Sequence, residues 1–369
     1  MEERAYWLAW SQITGMGPVT LQRLHRHFGS LAEAWQAKPE TLRAVEGFGP
    51  QTLEIAVVGR SRLHPEELLQ QHQEKNPRFW TPADADYPRL LLEIPNPPPV
   101  LYYRGQVQPQ ENQGIVPAIA IVGTRDPSDY GRRWTRKIST TLAQSGFTIV
   151  SGLADGIDTE AHRSCLDVGG RTLAVLGTGV DVVYPPRNQN LYEQILPQGL
   201  VLSEYPAGTQ PDRAHFPQRN RLIAGLSRAT LVMEAPTKSG ALITAHLAND
   251  FGRDVYVLPG SLDNSRSIGC LGLLSKGAQV ILSEGHLLEM LGTMPQLYRA
   301  QPQLPVQQPL PDLAPELQQV LAAIASEPTS FDLIVQQVNL AAGAVSSALL
   351  QLELLGLISQ VPGMRYQRC

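Results

Sequence analysis

The sequence predicts an α/β protein whose centre is a largely parallel sheet, and three observations carry that reading. Between Ala118 and about Leu291, short β-rich runs alternate with helical stretches. The runs are apolar, as strands covered on both faces by crossover helices must be. In the stretch 129–144, Trp134, Ile138 and Leu142 recur every four residues, the period of an amphipathic helix.

The runs are Ala118–Val122, Phe147–Val150, Arg171–Leu176, Leu200–Ser203, Thr230–Met233, Asp254–Leu258 and Ala278–Leu282. Together with the helical stretches they make 118–292 a Rossmann-like domain. Residues 1–80 read as a small helical domain, similar to SAM or helix-hairpin-helix modules. It is punctuated by Gly15-Met16-Gly17-Pro18 and Gly47-Phe48-Gly49-Pro50. A glycine pair between helices lets backbone N–H groups face outward toward a phosphate, or simply closes a tight turn. Residues 81–117, with Pro95 and Pro97 to Pro99, read as an extended connection. Residues 293–312 are rich in Gln and Pro and have no periodicity, so a flexible linker is expected. Three helical stretches and a terminal β-ribbon then predict a winged helix at 313–369.

Composition limits the function. The 369 residues carry a formal net charge of -4, so a nucleic-acid site would have to be a local patch and not a global field. Cys165, Cys270 and Cys369 are widely spaced, which suits neither a disulfide framework nor a metal cluster and fits a reducing cytoplasm. With no signal pattern at Met-Glu-Glu-Arg and no long apolar run, secretion and membrane insertion are not expected.

Enzyme motifs fail on residues. There is no Gly-x-x-x-x-Gly-Lys-Ser/Thr for a triphosphate. The first strand of the sheet ends Gly123-Thr124-Arg125, which is not the glycine fingerprint of a dinucleotide site. His-Glu-x-x-His, Cys-x-x-Cys and Gly-x-Ser-x-Gly are likewise missing. No catalytic residue, metal or cofactor is therefore expected.

What remains is a set of glycine-rich strand ends bearing arginines. At Gly123, Thr124 and Arg125, glycine permits close backbone approach, the hydroxyl donates, and the guanidinium offers a fork for phosphate. Ser151 and Gly152 open a turn whose following helix directs its first amides at the same edge. Arg213, Arg219, Arg221 and Arg228 form a basic stretch on an acidic chain, with Asn220 between two of them. Arg219 and Arg221, two apart on a helix, point in different directions, so one at most is expected to face a ligand. Lys238, Ser239 and Gly240 open a further helix. Each segment also has a purely structural account: Gly123 serves the turn, Asp158 answers a helix dipole, and His162 and Cys165 pack. Singly each segment is weak, but all four converge on one edge of the sheet.

In order and at compatible spacing, Gly123–Arg125, Tyr130-Gly131, Ser151–His162, Tyr184–Asn188, Phe216–Ser227 and Ser239–Ala245 resemble the DprA/Smf family of DNA-processing proteins. The resemblance implies a non-catalytic homodimer that binds and shields single-stranded DNA and helps load a RecA-type recombinase during natural transformation. It places the family's DNA-binding arginine on Arg125. The basic residue of the Tyr-Pro loop falls on Arg187, one position later than in many relatives, because Tyr184-Pro185-Pro186-Arg187 stands where they have Tyr-Pro-Lys. Leu271 also departs from the pattern, standing where relatives often carry asparagine. Two other functions fit the same sheet or the terminal domain less well. A nucleotide phosphoribohydrolase on the same sheet type would need Pro-Gly-Gly-x-Gly-Thr-x-x-Glu, which the chain lacks. A duplex-DNA regulator would need cations on its recognition helix, yet 342–355 contains no Lys or Arg.

Overall fold

The computed structural model describes residues 2–292 except 77, and 314–368 except 325–328, 339, 355, 356, 362 and 363. The expected linker at 293–312 lies outside the described residues. Two compact units result, one within 2–292 and one within 314–368.

The larger unit is built on one sheet. Its strands are β1 (Phe79–Trp80), β2 (Leu101–Gly105), β3 (Ala118–Val122), β4 (Thr148–Ser151), β5 (Thr172–Leu176), β6 (Leu200–Ser203), β7 (Ala229–Val232), β8 (Asp254–Val257) and β9 (Gln279–Val280). They lie in the order β1-β2-β6-β5-β4-β3-β7-β8-β9. The strands from β3 onward are parallel. The side chains of β3 alternate between two cores: Ala118, Ala120 and Val122 enter one, Ile119 and Ile121 the other. Helices on both faces cover them, which explains why the strand carries no polar position.

The order of strands decides where a ligand goes. The chain runs outward from β3 through β4 and β5 to β6, then returns to place β7 on the other side of β3. The connections on either side of β3 therefore leave in opposite directions, opening a crevice beyond the carboxyl ends of β3 and β7.

One expectation needs correction. Residues 81–117 are not merely an extended connection, because Leu101–Gly105 forms β2, antiparallel to β6, and β1 extends that edge. Its flanking prolines hide the strand in sequence, and a short β-run gains its order from pairing with β6 rather than from local propensity. Tyr87 fastens the segment, donating its hydroxyl to the Pro98 carbonyl at 2.9 Å while fully buried.

Of six helices between Glu3 and Lys75, the first five pack around Trp10, Leu21, Leu24, Leu31 and Phe48, while Leu69 of the sixth joins the core beside the sheet. Gly15 and Gly47 adopt φ of +96° and +86°, the left-handed region that a side chain would resist. The residues two further on, Gly17 and Gly49, cap the helices that begin at Pro18 and Pro50.

The smaller unit has helices Pro315–Ala322, Phe331–Val338 and Ala342–Leu354, with β10 (Thr329–Ser330), β11 (Ile358–Val361) and β12 (Arg365–Arg368) in the order β10-β12-β11. Val320, Ile334, Val345, Leu349, Ile358 and Tyr366 form its core. This is a winged helix. Among the described residues no single helix is long and apolar enough to cross a membrane.

A buried histidine gives the larger unit a pH signature. His162 is completely buried, and its Nδ1 lies 2.7 Å from the Thr172 hydroxyl. The same hydroxyl lies 2.9 Å from the Ile149 carbonyl, an arrangement in which it donates to that carbonyl and accepts from Nδ1. Nε2 has no partner among the described residues. Burial, and next the charge of Arg219, push the imidazole down to about 3 from 6.5. Since the folded state refuses the proton that the unfolded state accepts, this contribution is complete above about pH 6.5. It is lost as pH falls toward 3, at about 1.4 kcal/mol per pH unit. His162→Gln should flatten the dependence of unfolding free energy on pH between 6 and 4 by up to that slope in urea titrations. An unchanged slope would contradict the assignment.

Candidate nucleic-acid interface

A crevice of about 670 Å³ opens at the switch point, lined from one side by Gly123, Thr124 and Arg125 and from the other by Ser239 and Gly240. Arg219 and Asn220 line it between them.

The loop after β3 is clamped from three directions. Thr124 N donates to the Glu234 carbonyl at 2.7 Å. The Glu234 carboxylate, 1% exposed, accepts from Ser128 N at 2.8 Å, Ser128 Oγ at 2.6 Å and Asn264 Nδ2 at 3.0 Å. Arg266 pairs with Asp126 at 2.5 Å. Gly156, at φ +77°, passes against the backbone of Thr124 and Arg125 so closely that a Cβ there would overlap both. Such a scaffold fixes the backbone from which Arg125 projects. Arg125 itself is exposed, with its guanidinium 5.7 Å from the centre of the Phe216 ring. Tyr184, 38% exposed, sits 5.5 Å from the same ring.

Beneath this mouth two buried groups of opposite charge lie near one another without direct contact. Arg219, 4% exposed, donates through Nη1 to the Gly152 carbonyl at 2.7 Å and to the Val175 carbonyl. Asp158 accepts from Gly152 N at 3.1 Å and Ala154 N at 3.3 Å. Burial pushes the Asp158 carboxyl up, against the pull of the Arg219 charge, and burial lowers Arg219 to about 10 despite Asp158. The guanidinium thus stays cationic at neutral pH while spending its donors on strand-end carbonyls. It raises the positive potential of the floor more than it offers a free fork.

On the far wall, Ser239 caps the helix Gly240–Asp250 by accepting from Ala241 N at 3.3 Å. Asn220 Nδ2 donates to the Gly240 carbonyl at 3.2 Å. The first amides of that helix border the crevice, where the dipole favours an anion.

Seven of the twelve expected positions therefore meet: Gly123, Thr124, Arg125, Arg219, Asn220, Ser239 and Gly240. Ser151 is fully buried and donates to the Ile121 carbonyl at 2.6 Å, and Gly152 leaves room for the Arg219 guanidinium, which a Cβ would approach to 2.6 Å. Both build the floor without lining the cavity. Arg187 is exposed and pairs with Asp155. Arg221, 8% exposed, pairs with Glu204 and does not line the crevice. Lys238 is exposed beside the crevice without lining it. Arg213 of the basic stretch also lines it, as do Phe216, Tyr184 and Asp158, which sequence reasoning did not single out as contacts. The signal for Phe216 was present: an aromatic three residues before an arginine that points inward at a strand end.

The fold and this crevice define a class, a Rossmann-type protein with an arginine-bearing switch-point crevice edged by aromatic rings. A model of DNA recombination-mediator protein A matches residues 78–292, and one of the DprA winged helix domain matches 304–364. The chain belongs to the DprA/Smf family of DNA-processing proteins. It is 56% identical to protein Smf of Synechocystis sp. over 99% of both chains. The crystal structure of DNA processing protein A from Streptococcus pneumoniae superposes with a TM-score of 0.67 at 34% identity, over 78% of this chain and 98% of that one. The Helicobacter pylori protein, studied for its single-stranded DNA binding mode, gives 0.52 at 32% identity, over 58% and 95%.

Proposed function

We propose that the crevice holds the phosphates of single-stranded DNA while Phe216 and Tyr184 stack its bases. The observation that carries this reading is an exposed arginine held beside an accessible aromatic face, above a wall of helix amides. Stacking of bases on side-chain rings requires base faces that a duplex keeps covered. By family membership and the resemblance described above, the chain protects incoming single strands and helps load a RecA-type recombinase during natural transformation, acting in the cytoplasm as a homodimer. The contacts belong to Gly123, Thr124, Arg125, Asn220, Ser239 and Gly240, over the charge of Arg219, with Lys238 and Arg187 at the margins.

A non-catalytic role fits the chemistry of the lining. Among the described residues Asp158 is the only carboxylate lining the cavity, and it is buried, with its Oδ2 accepting from two backbone amides and the Arg219 charge nearby. A glycosidic hydrolase would need a carboxylate free to act on water or sugar. Incubation with nucleoside monophosphates should release no free base, and steady release would revive that rival.

For the winged helix, an accessory role is favoured because Ala342–Leu354 carries Glu353 as its one charged residue. Deleting 313–369 should leave single-strand affinity within tenfold of the full chain, about 1.4 kcal/mol, in fluorescence anisotropy titrations run against matched duplex. A larger loss would assign DNA contact to that unit.

A further inference from the structure

A second cavity, of about 530 Å³, runs along the β2 edge of the sheet between the end of the helix Pro65–Lys75 and the loops after β5 and β6. Lys75, Arg78 and Arg104 line it, and all three are exposed. None of them forms an ion pair among the described residues. The one acid lining it, Asp181, accepts from Gly208 N with both oxygens, at 2.9 and 3.1 Å. Half-buried Tyr103 and buried Tyr102 complete the wall. On a chain of net charge -4, three unneutralised cations around one hollow are an electrostatic cost in the free protein. Arg104 also hydrogen-bonds the Tyr192 hydroxyl, but no carboxylate pairs with any of the three among the described residues, and a bound polyanion would supply the missing counter-charge.

Position links this hollow to the crevice. The loop after β5 sends Val180 and Asp181 to one and Tyr184 to the other. The loop after β6 likewise sends Ala207 to the basic hollow and leads to Arg213 at the crevice. Between them the Tyr205 ring stacks on His215, centroids 3.9 Å apart and planes 23° apart.

We infer that Lys75, Arg78 and Arg104 form a second phosphate subsite, which takes the continuation of the same single strand after it leaves the crevice. The inference rests on the crevice being the primary site. It assigns the exposed side of the β1–β2 edge a part in lengthening the footprint on DNA.

The test uses the full chain, the triple variant Lys75→Gln/Arg78→Gln/Arg104→Gln, and oligothymidylates of about 5 and about 16 nucleotides, the span of single-strand sites. Wild type should bind the longer oligomer more tightly. The triple variant should match wild type on the short oligomer and bind the long one at least tenfold more weakly. Its salt slope on the long oligomer should fall by about 2, from roughly 0.7 per lost phosphate contact. Equal affinity on both lengths, or equal loss on both, overturns the inference. Arg104→Glu, a single change on an exposed side chain, keeps the test alive if the triple variant does not fold, with the same length-selective loss expected. Arg125→Ala runs alongside: loss at neither length would sink the crevice reading itself, whatever the triple variant does.

Discussion

Replacing Arg219 with alanine is expected to lower the free energy of unfolding of the larger unit by about 3–5 kcal/mol, because it strands a buried carboxylate. Asp158 is 6% exposed and sits among the amides of Gly152 and Ala154. Without the guanidinium, two strand-end carbonyls, of Gly152 and Val175, lose their donor as well. Burying such groups unpaired is among the few mechanisms that reach this size. Adding Asp158→Asn should recover part of the loss, since the remaining charge disappears and the amide oxygen still accepts from the backbone. Urea titration of the full chain, followed by a probe of the sheet unit, measures both. A single-variant loss under 1 kcal/mol would mean that Arg219 is solvated and free to grip DNA directly.

The second large effect is on binding. Phe216→Ala should weaken single-strand affinity by about 1–3 kcal/mol, the worth of one stacked base, while leaving the salt slope where it was, since no charge is removed. The ring also packs against Gly177, so circular dichroism and a thermal melt accompany the titration. If affinity holds and the fold is intact, the bases stack elsewhere. If instead the slope falls with affinity, the ring acts by positioning Arg125, over which it lies.

The central sheet could be read from the sequence because its evidence is local: apolar runs, helical periods and glycine ends. The order of its strands could not. That β3 and β7 are neighbours follows from how the chain returns after β6, and only that return brings Thr124 beside Glu234 and Arg125 opposite Ser239. The basic stretch from Arg213 to Arg228 shows the difference most sharply, since closeness in sequence did not make a patch in space. Arg213 reaches the crevice, Arg219 turns under it, and Arg221 is buried against Glu204. Arg228 enters β7 at the opposite edge of the sheet, its amide on the Ala118 carbonyl. The expectation that Arg219 and Arg221 diverge agrees with their separate partners, but a count of charges cannot tell that both are inside. Long-range partners such as Asp158 and Glu204 decide that. Arg125 was accessible to sequence reasoning because a glycine-hydroxyl-arginine strand end needs no distant partner to be suggestive.

The most direct measurement is the affinity of full-length wild type and Arg125→Ala for a single-stranded oligomer across a salt series. Arg125 is exposed, so the fold should survive the change. If it grips a phosphate at the mouth of the crevice, the variant binds at least tenfold more weakly at low salt. Its plot of log affinity against log salt should also be shallower by about 0.7, with no change in base preference. A folded variant with the affinity and slope of wild type would contradict the account.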